Sequence, residues 1–264
     1  MTDEERFDVV LSELGHLLVQ LGDLARHVTL IGGQVPSLLG KANGGTGVIS
    51  VATATGVELT RAFSFEPDLL IDVEGLGFQH EQLPLTLRHC GFERTRPFRW
   101  AKQVGEVFVE VDLFAPPGAD PELAPTVMTA LPGGDIALLR PERITFRTAS
   151  GEYEIAVPSP TAFLAMKLEA KRKLRPGETK DSFDMYSYVR LVGVGAVVKS
   201  LSEHGADGVR VRDALRTLFR TIGSTGVVDV LSFAANLLHE EQQLVARDVV
   251  DTFEAVRATR GAGQ

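Results

Sequence analysis

The sequence predicts an α/β (α+β) fold with a helical C-terminal part, and three patterns support this prediction. An apolar run at 29–31 ends in two glycines and continues into a helical stretch, which indicates a strand, a tight turn and a helix start. Residues 107–114 alternate apolar and polar side chains, as a half-buried strand does. From residue 194 onwards, apolar residues recur at helical spacing between short breaks.

The remaining elements of the first part of the chain follow from the same periodicities. Residues 3–27 have the apolar stripe of an amphipathic helix that packs on a core. Residues 41–60 are rich in glycine and threonine, and form either a flap over a nucleotide or a surface insertion without a role; within them, 48–54 is a short strand or a loop. Further predicted elements are a strand at 66–73, a helix at 79–90, a hairpin of 98–104 and 106–114, an irregular connection at 115–134, and strands at 136–139, 143–148 and 153–157.

Proline and a helix-capping acid mark the predicted helices of the second part. A helix from Pro158 to about residue 174 is expected, because proline is tolerated in a first helical turn. Asp181 favours a helix start, since a carboxylate compensates the helix dipole there. The predicted helices are 180–192, 194–204, 208–222, 225–238 and 240–258, with 259–264 frayed. These patterns divide the chain into domains at 1–157 and 158–264.

Composition excludes several classes of protein. The net charge of −8 argues against broad, non-specific binding to nucleic acid. Cys90 is the single cysteine, so an intrachain disulfide and a cysteine-rich metal site are excluded, which fits a cytoplasmic location. We expect no membrane span and no signal peptide, because long apolar runs and a basic start are missing. Spacings typical of zinc proteases, serine hydrolases and P-loop proteins are also missing from the sequence.

Acidic residues near the diglycine turn are the candidate catalytic residues. Glu66 and Asp68 alternate in an extended stretch and therefore share a face. Asp112 lies in the alternating strand, and would meet them if that strand lay beside 69–73. The turn at Gly32 and Gly33 offers backbone N–H groups and a helix N-terminus to a phosphate. Together these residues form a candidate Mg²⁺ and triphosphate site.

This arrangement resembles the nucleotidyltransferase superfamily, and in particular its AbiEii/AbiGii toxin branch. Gly32-Gly33 stand at the Gly-Gly or Gly-Ser motif of the family. Ser64-x-Glu66-x-Asp68 stands where the family has Thr-x-Asp-x-Asp, so that a glutamate replaces the first metal-binding aspartate. The resemblance covers roughly residues 29–190, with Asp112 as the third acid.

The resemblance implies a mixed sheet flanked by helices and a transfer reaction. A nucleoside monophosphate would pass from an NTP to an acceptor, which is RNA such as a tRNA end, a protein hydroxyl or a small molecule. Mg²⁺ (or Mn²⁺) would be the cofactor, and a cognate antitoxin protein would be a further partner.

The resemblance also implies roles for side chains in both parts of the chain. Glu66, Asp68 and Asp112 would hold the metals, and Asp112 would also act as the base. In the basic stretch, Lys167 would contact phosphates, with Arg61 or Lys171 assisting. Lys180 and Asp181 would line the cleft; the alternative for Lys180, Asp181 and Asp184 is a solvated helix start.

Two other interpretations remain open at this point. Glu66 in place of aspartate motivates the first: a catalytically inactive relative that binds a nucleotide or a partner protein. The second is a structural domain, in which the three acids would be solvated and dispersed in space.

Overall fold

A computed structural model describes residues 1–61, 63–77, 81–120 and 128–258. The strands in chain order are β1 (Val28–Ile31), β2 (Ile49–Ala52), β3 (Glu58–Arg61), β4 (Asp68–Ile71), β5 (Glu93–Arg94), β6 (Arg99–Val104), β7 (Val107–Ala115), β8 (Thr129–Ala130), β9 (Glu142–Thr148) and β10 (Gly151–Val157). The α-helices are α1 (Asp3–Leu21), α2 (Gln34–Ala42), α3 (Val73–Leu76), α4 (Gln82–His89), α5 (Gly134–Leu138), α6 (Pro160–Glu169), α7 (Lys180–Val192), α8 (Val194–Glu203), α9 (Gly205–Leu218), α10 (Thr225–Leu231) and α11 (His239–Ala258).

Two compact units make up the chain. The first comprises Met1–Gly47 and Phe63–Ser159, and the second comprises Val48–Ala62 and Pro160–Gln264. A mixed sheet forms the centre of the first unit, in the order β5-β6-β7-β4-β1-β10-β9, with β8 paired to β7. β4 runs parallel to β7 and β1 runs parallel to β10, whereas β4 and β1 are antiparallel. The predicted α/β fold, with its mixed sheet flanked by helices, is confirmed.

Helix α1 covers the sheet of the first unit with the apolar stripe that the sequence shows. Phe7, Leu11 and Leu14 are buried on this stripe. Gly15 allows close packing, since a Cβ there would lie 2.4 Å from the ring of Tyr153 on β10. The α-helix ends at Leu21 rather than at residue 27, because Gly22 adopts a φ of +54°, and the chain continues as a short 3-10 helix, Gly22–His27.

The predicted strand at 136–139 is wrong, because the chain forms the short helix α5 there. A four-residue apolar run fits a strand and a helix equally well, so periodicity does not decide between them. Gly133 adopts a left-handed conformation and starts the helix, and Ala137 is buried. Three other predictions fall partly or wholly outside the described residues: the helix start at 79–80, part of the connection at 115–134, and the frayed end at 259–264.

The second unit combines the β2–β3 hairpin with helices α6 to α11. Alternate hairpin residues are buried, namely Ile49, Val51 and Leu59. The Asp248 carboxylate on α11 accepts a hydrogen bond from the Ala54 N–H at 2.9 Å, and Arg190 on α7 donates to the Ala52 carbonyl at 2.8 Å. Residues 49–52, for which the sequence left a strand or a loop open, therefore form a strand that is tied to the helices of this unit.

Aromatic pairs fill the helical core of the second unit. The rings of Phe163 and Tyr188 stack with centroids 4.1 Å apart, and those of Phe219 and Phe253 stack at 3.8 Å. The helical prediction for 194–258 is confirmed, with shifted boundaries and a 3-10 turn, Ser232–Ala234, after α10. No helix in the described part of the chain has the length and apolar character needed to cross a bilayer.

Candidate functional site

Strand pairing brings two of the predicted acids together in the first unit. Asp68 is the first residue of β4, and the parallel register of β4 and β7 places it beside Asp112. The N–H of Asp112 donates to the Pro67 carbonyl at 2.9 Å, which fixes the two strands at this point. Asp112 is buried, with 5% exposure. The condition under which Asp112 would meet Asp68, that the strand at 107–114 lies beside the strand at 69–73, is therefore met.

The diglycine turn lies directly against Asp68. β1 is antiparallel to β4, with Ile31 opposite Asp68, so Gly32 is the first residue beyond that pair. Gly32 has φ +76°, and a Cβ there would lie 2.1 Å from Asp68 Oδ2. Only glycine leaves room for this carboxylate and adopts this backbone conformation at little cost. Helix α2 begins at Gln34, so the N–H groups of Gln34 and Val35 in its first turn follow the diglycine turn at once.

We expect Gly32→Ala to destabilise the first unit and to displace the Asp68 carboxylate. The left-handed backbone conformation alone costs about 1–3 kcal/mol for a non-glycine residue, and the contact with Asp68 adds to it. Gly118→Ala is the matched control, because Gly118 has φ +77° and, its chain neighbours apart, no atom of the described residues lies within 4 Å of where its Cβ would be. Denaturant unfolding followed by Trp100 fluorescence measures both variants. Equal losses in the two variants would show that the Asp68 contact is unimportant.

Arg99 on β6 pairs with three acids, and we call Glu66, Asp68, Arg99, Glu110 and Asp112 the acid cluster. Arg99 Nε donates to Asp112 Oδ1 at 2.7 Å and Arg99 Nη2 donates to Asp112 Oδ2 at 2.7 Å. Nη2 also donates to Glu66 Oε2 at 2.9 Å, and Nη1 donates to Glu110 Oε1 at 3.2 Å. The hydrogen bonds to Asp112 raise the pKa of Arg99, so the guanidinium stays charged.

The donor set of the acid cluster fits a divalent cation with bound phosphates. Three carboxylates pair with the guanidinium, and Asp68 lies beside Asp112 on the neighbouring strand, so negative charge remains in excess. Mg²⁺ typically binds one or two carboxylates together with substrate phosphates, and Asp68 and Asp112 would be that pair. The pairing with Arg99 shows that these carboxylates bind a positively charged group. Among the described residues, no three His, Cys, Asp or Glu side chains are arranged to hold a metal by themselves.

A buried amide lies beside the diglycine turn. Gln34 is fully buried at the start of α2, and its Nε2 donates to the Ser64 carbonyl at 3.0 Å. Within the described residues, its Oε1 receives no hydrogen bond. A buried oxygen without a donor is costly, so this position suits a water molecule or a cation.

The predicted site residues after residue 160 belong to the second unit, where two of them pair with each other. Lys167 is buried, with Nζ 3.1 Å from Asp181 Oδ1 and 2.6 Å from Asp184 Oδ2. Asp181 also accepts two hydrogen bonds from Arg175, at 2.8 and 3.0 Å. Lys180 lies at the surface, with Nζ 3.9 Å from Glu178. The phosphate-binding role of Lys167 and the cleft-lining role of Lys180 and Asp181 stay predictions.

Further ion pairs extend this arrangement into what we call the ionic network. Arg61 at the end of β3 lies 2.8 Å from Asp184, and Lys171 lies 2.7 Å from Asp229. The network comprises Arg61, Lys167, Lys171, Arg175, Asp181, Asp184 and Asp229. Because buried charges are costly without partners, the pairing explains how Lys167 and Lys171 of the basic stretch can be buried.

Arg99 is the residue of the acid cluster that the sequence prediction missed, although the strand that contains it was predicted. The hairpin around Gly105 was predicted, and its register pairs Val104 with Val107. Counting outward from that pair along both strands places Arg99 opposite Asp112. The predicted bounds, 98–104 and 106–114, did not give this register, so the pairing of Arg99 with Asp112 is seen only in the folded hairpin.

The fold and the acid cluster define a mixed α/β protein with a cation-binding candidate site beside a diglycine turn. Comparisons with protein-family models, with curated proteins and with solved structures found no match. Membership of the nucleotidyltransferase superfamily therefore stays a prediction, which depends on the motif residues and on their placement.

Proposed function

We propose that this protein is a Mg²⁺-dependent nucleotidyltransferase of the toxin-like type, which transfers a nucleoside monophosphate from an NTP to an acceptor. One observation carries the proposal: Asp68 and Asp112 are neighbours on parallel strands, beside Gly32. A carboxylate pair and a glycine turn that leads into a helix N-terminus are the groups that a metal–triphosphate complex needs.

Each residue of the site has a role in this proposal. Asp68 and Asp112 would hold the metal, whereas Glu66, half exposed in the loop before β4, pairs with Arg99. The turn at Gly32 and Gly33 binds the triphosphate through backbone N–H groups. A bound divalent metal neutralises charge on the phosphates, and the protein supplies position and orientation.

The reaction balances as an in-line displacement at phosphorus. The acceptor oxygen forms a bond to the α-phosphorus, and the bond between this phosphorus and the oxygen bridging to the β-phosphate breaks. Pyrophosphate leaves, and the acceptor proton passes to the Asp112 carboxylate. In-line positioning and charge neutralisation account for most of the catalysis in such transfers.

The acceptor and the partner of the proposed enzyme follow from the family resemblance alone. An RNA end or a protein hydroxyl is the proposed acceptor, and an antitoxin protein is the proposed partner. A cytoplasmic location agrees with the single, partly buried Cys90, which forms no disulfide. Burial raises the pKa of this thiol, so it is a poor nucleophile at neutral pH.

Transfer of label from each of the four NTPs tests the proposal. We expect incorporation from an α-³²P-labelled NTP into added RNA or protein, with release of pyrophosphate, in the presence of Mg²⁺ and not of EDTA. Isothermal calorimetry with Mg²⁺ and a non-hydrolysable NTP analogue provides a second readout. Failure of both transfer and binding would contradict the proposal.

A second candidate function is favoured by the ion pairs of Arg99. The guanidinium already compensates Glu66 and Asp112, as it would in a catalytically inactive protein that binds a nucleotide or a partner. The same two assays separate the candidates. Calorimetric binding of the Mg²⁺–nucleotide without transfer to any acceptor favours the inactive binder.

A further inference from the structure

Arg99 lies at the carboxylate that the proposed function assigns to the metal. We propose that Arg99 is a resident counter-ion of the acid cluster, which a divalent metal and its nucleotide displace from Asp112 together. The inference rests on the proposed function in assigning the metal to Asp68 and Asp112. It adds a regulatory consequence, which is that metal and nucleotide bind cooperatively. The metal replaces Arg99 on Asp112, and the nucleotide phosphates stabilise the displaced guanidinium.

Competition for Asp112 follows from the contacts of its two oxygens. Nε and Nη2 of Arg99 each approach one oxygen to 2.7 Å, which is the bidentate geometry of a strong pair. Each oxygen keeps a second lone pair, so a metal is not sterically excluded. The positive guanidinium beside both oxygens nevertheless repels a second cation, most strongly in this buried setting. Metal alone should therefore bind weakly.

The other partners of Arg99 provide a path for its displacement. Glu110 and Glu66 already accept hydrogen bonds from the guanidinium, and the Glu66 side chain is 50% exposed. Arg99 can therefore leave Asp112 while it keeps a carboxylate partner and moves towards solvent. A triphosphate that arrives with the metal offers further oxygens, and guanidinium groups bind phosphate oxygens well. The nucleotide thus stabilises the displaced arginine, which couples its binding to that of the metal.

Mn²⁺ binding to the full-length protein, measured by electron paramagnetic resonance, tests the inference without a need for turnover. We compare the parent, Arg99→Gln and Arg140→Gln, each with and without a non-hydrolysable ATP analogue. Arg140 is the matched control, because it is an exposed arginine of the same unit and has no ion pair among the described residues. Both variants lose one positive charge.

Arg99→Gln should bind Mn²⁺ alone on the order of tenfold more tightly than the parent, because a nearby positive charge has been removed. Arg140→Gln should bind as the parent does. The analogue should tighten Mn²⁺ binding in the parent more than in Arg99→Gln. Mn²⁺ affinity in Arg99→Gln that equals or falls below that of the parent would overturn the inference.

Arg99→Lys serves if circular dichroism shows that Arg99→Gln is unfolded. Lysine keeps the charge but does not bind both oxygens of Asp112 in a fork, so Mn²⁺ affinity above the parent supports the inference and equal or lower affinity overturns it. Failure of the proposed reaction is distinguishable from failure of the inference. Tighter Mn²⁺ binding without nucleotidyl transfer in any protein contradicts the reaction alone, whereas transfer with unchanged Mn²⁺ affinity contradicts the inference alone.

Discussion

Asp68→Asn should reduce metal-dependent nucleotidyl transfer by about 10²–10³-fold in kcat, the size of loss seen when one charge-stabilising group is removed from an active site. Asparagine has the same shape, so the packing against Gly32 and the pairing of β4 with β7 should persist. What is lost is the negative charge beside Asp112. Initial rates of label transfer at saturating NTP measure the effect.

The control for this experiment is Asp135→Asn, at an exposed acid in the first turn of α5. It removes the same charge from the same unit and should transfer at the rate of the parent. Thermal unfolding of both variants confirms that each is folded at the assay temperature. Parent-like transfer by Asp68→Asn would contradict the assignment of Asp68 to the metal.

Asp184→Ala should destabilise the second unit by about 3–5 kcal/mol, the cost of removing one partner from a buried ion pair. Asp184 is fully buried and pairs with both Lys167 and Arg61. Its removal leaves Arg61 without an ion-pair partner among the described residues, and leaves Lys167 with Asp181 alone, which Arg175 also binds. Denaturant unfolding followed by far-UV circular dichroism measures the loss, because the helices dominate this signal.

Glu169→Ala is the matched control for the ionic network. Glu169 pairs at 2.8 Å with Lys173, whose side chain is 68% exposed, so the variant also removes one acid from one ion pair. An exposed pair of this kind contributes about 0–1 kcal/mol. If Asp184→Ala cost no more than Glu169→Ala, the network would not stabilise the unit.

The sequence could predict the part of the site that local periodicity specifies. Alternation along 107–114 identified β7, and the glycines identified the turn after β1. The pairing of β4 with β7 remained conditional at that stage, because strand order depends on contacts between residues distant in the chain. Asp68 and Asp112 are 44 positions apart, and only the folded sheet brings them into register.

Long-range partners also explain what the sequence did not reveal. Arg99 was assigned to a strand without a role, because its acids lie on β7 and in the loop before β4. The hairpin at 49–61 could not be assigned to the second unit from the sequence, because the carboxylate that accepts a hydrogen bond from the Ala54 N–H belongs to Asp248, which is distant in the chain. The sequence showed a basic stretch around Lys167 but not that Lys167 is buried, because its burial depends on Asp181 and Asp184 in the next helix.

In the proposed function, Asp68 and Asp112 together bind a divalent ion that carries a triphosphate. Crystals of the protein grown with Mn²⁺ and a non-hydrolysable NTP analogue test it most directly, through anomalous scattering from the metal. The account predicts an anomalous peak at bonding distance from both carboxylates, with the phosphates against the turn at Gly32. A metal bound elsewhere, or a nucleotide bound with Arg99 still on both oxygens of Asp112 and no metal there, would contradict it.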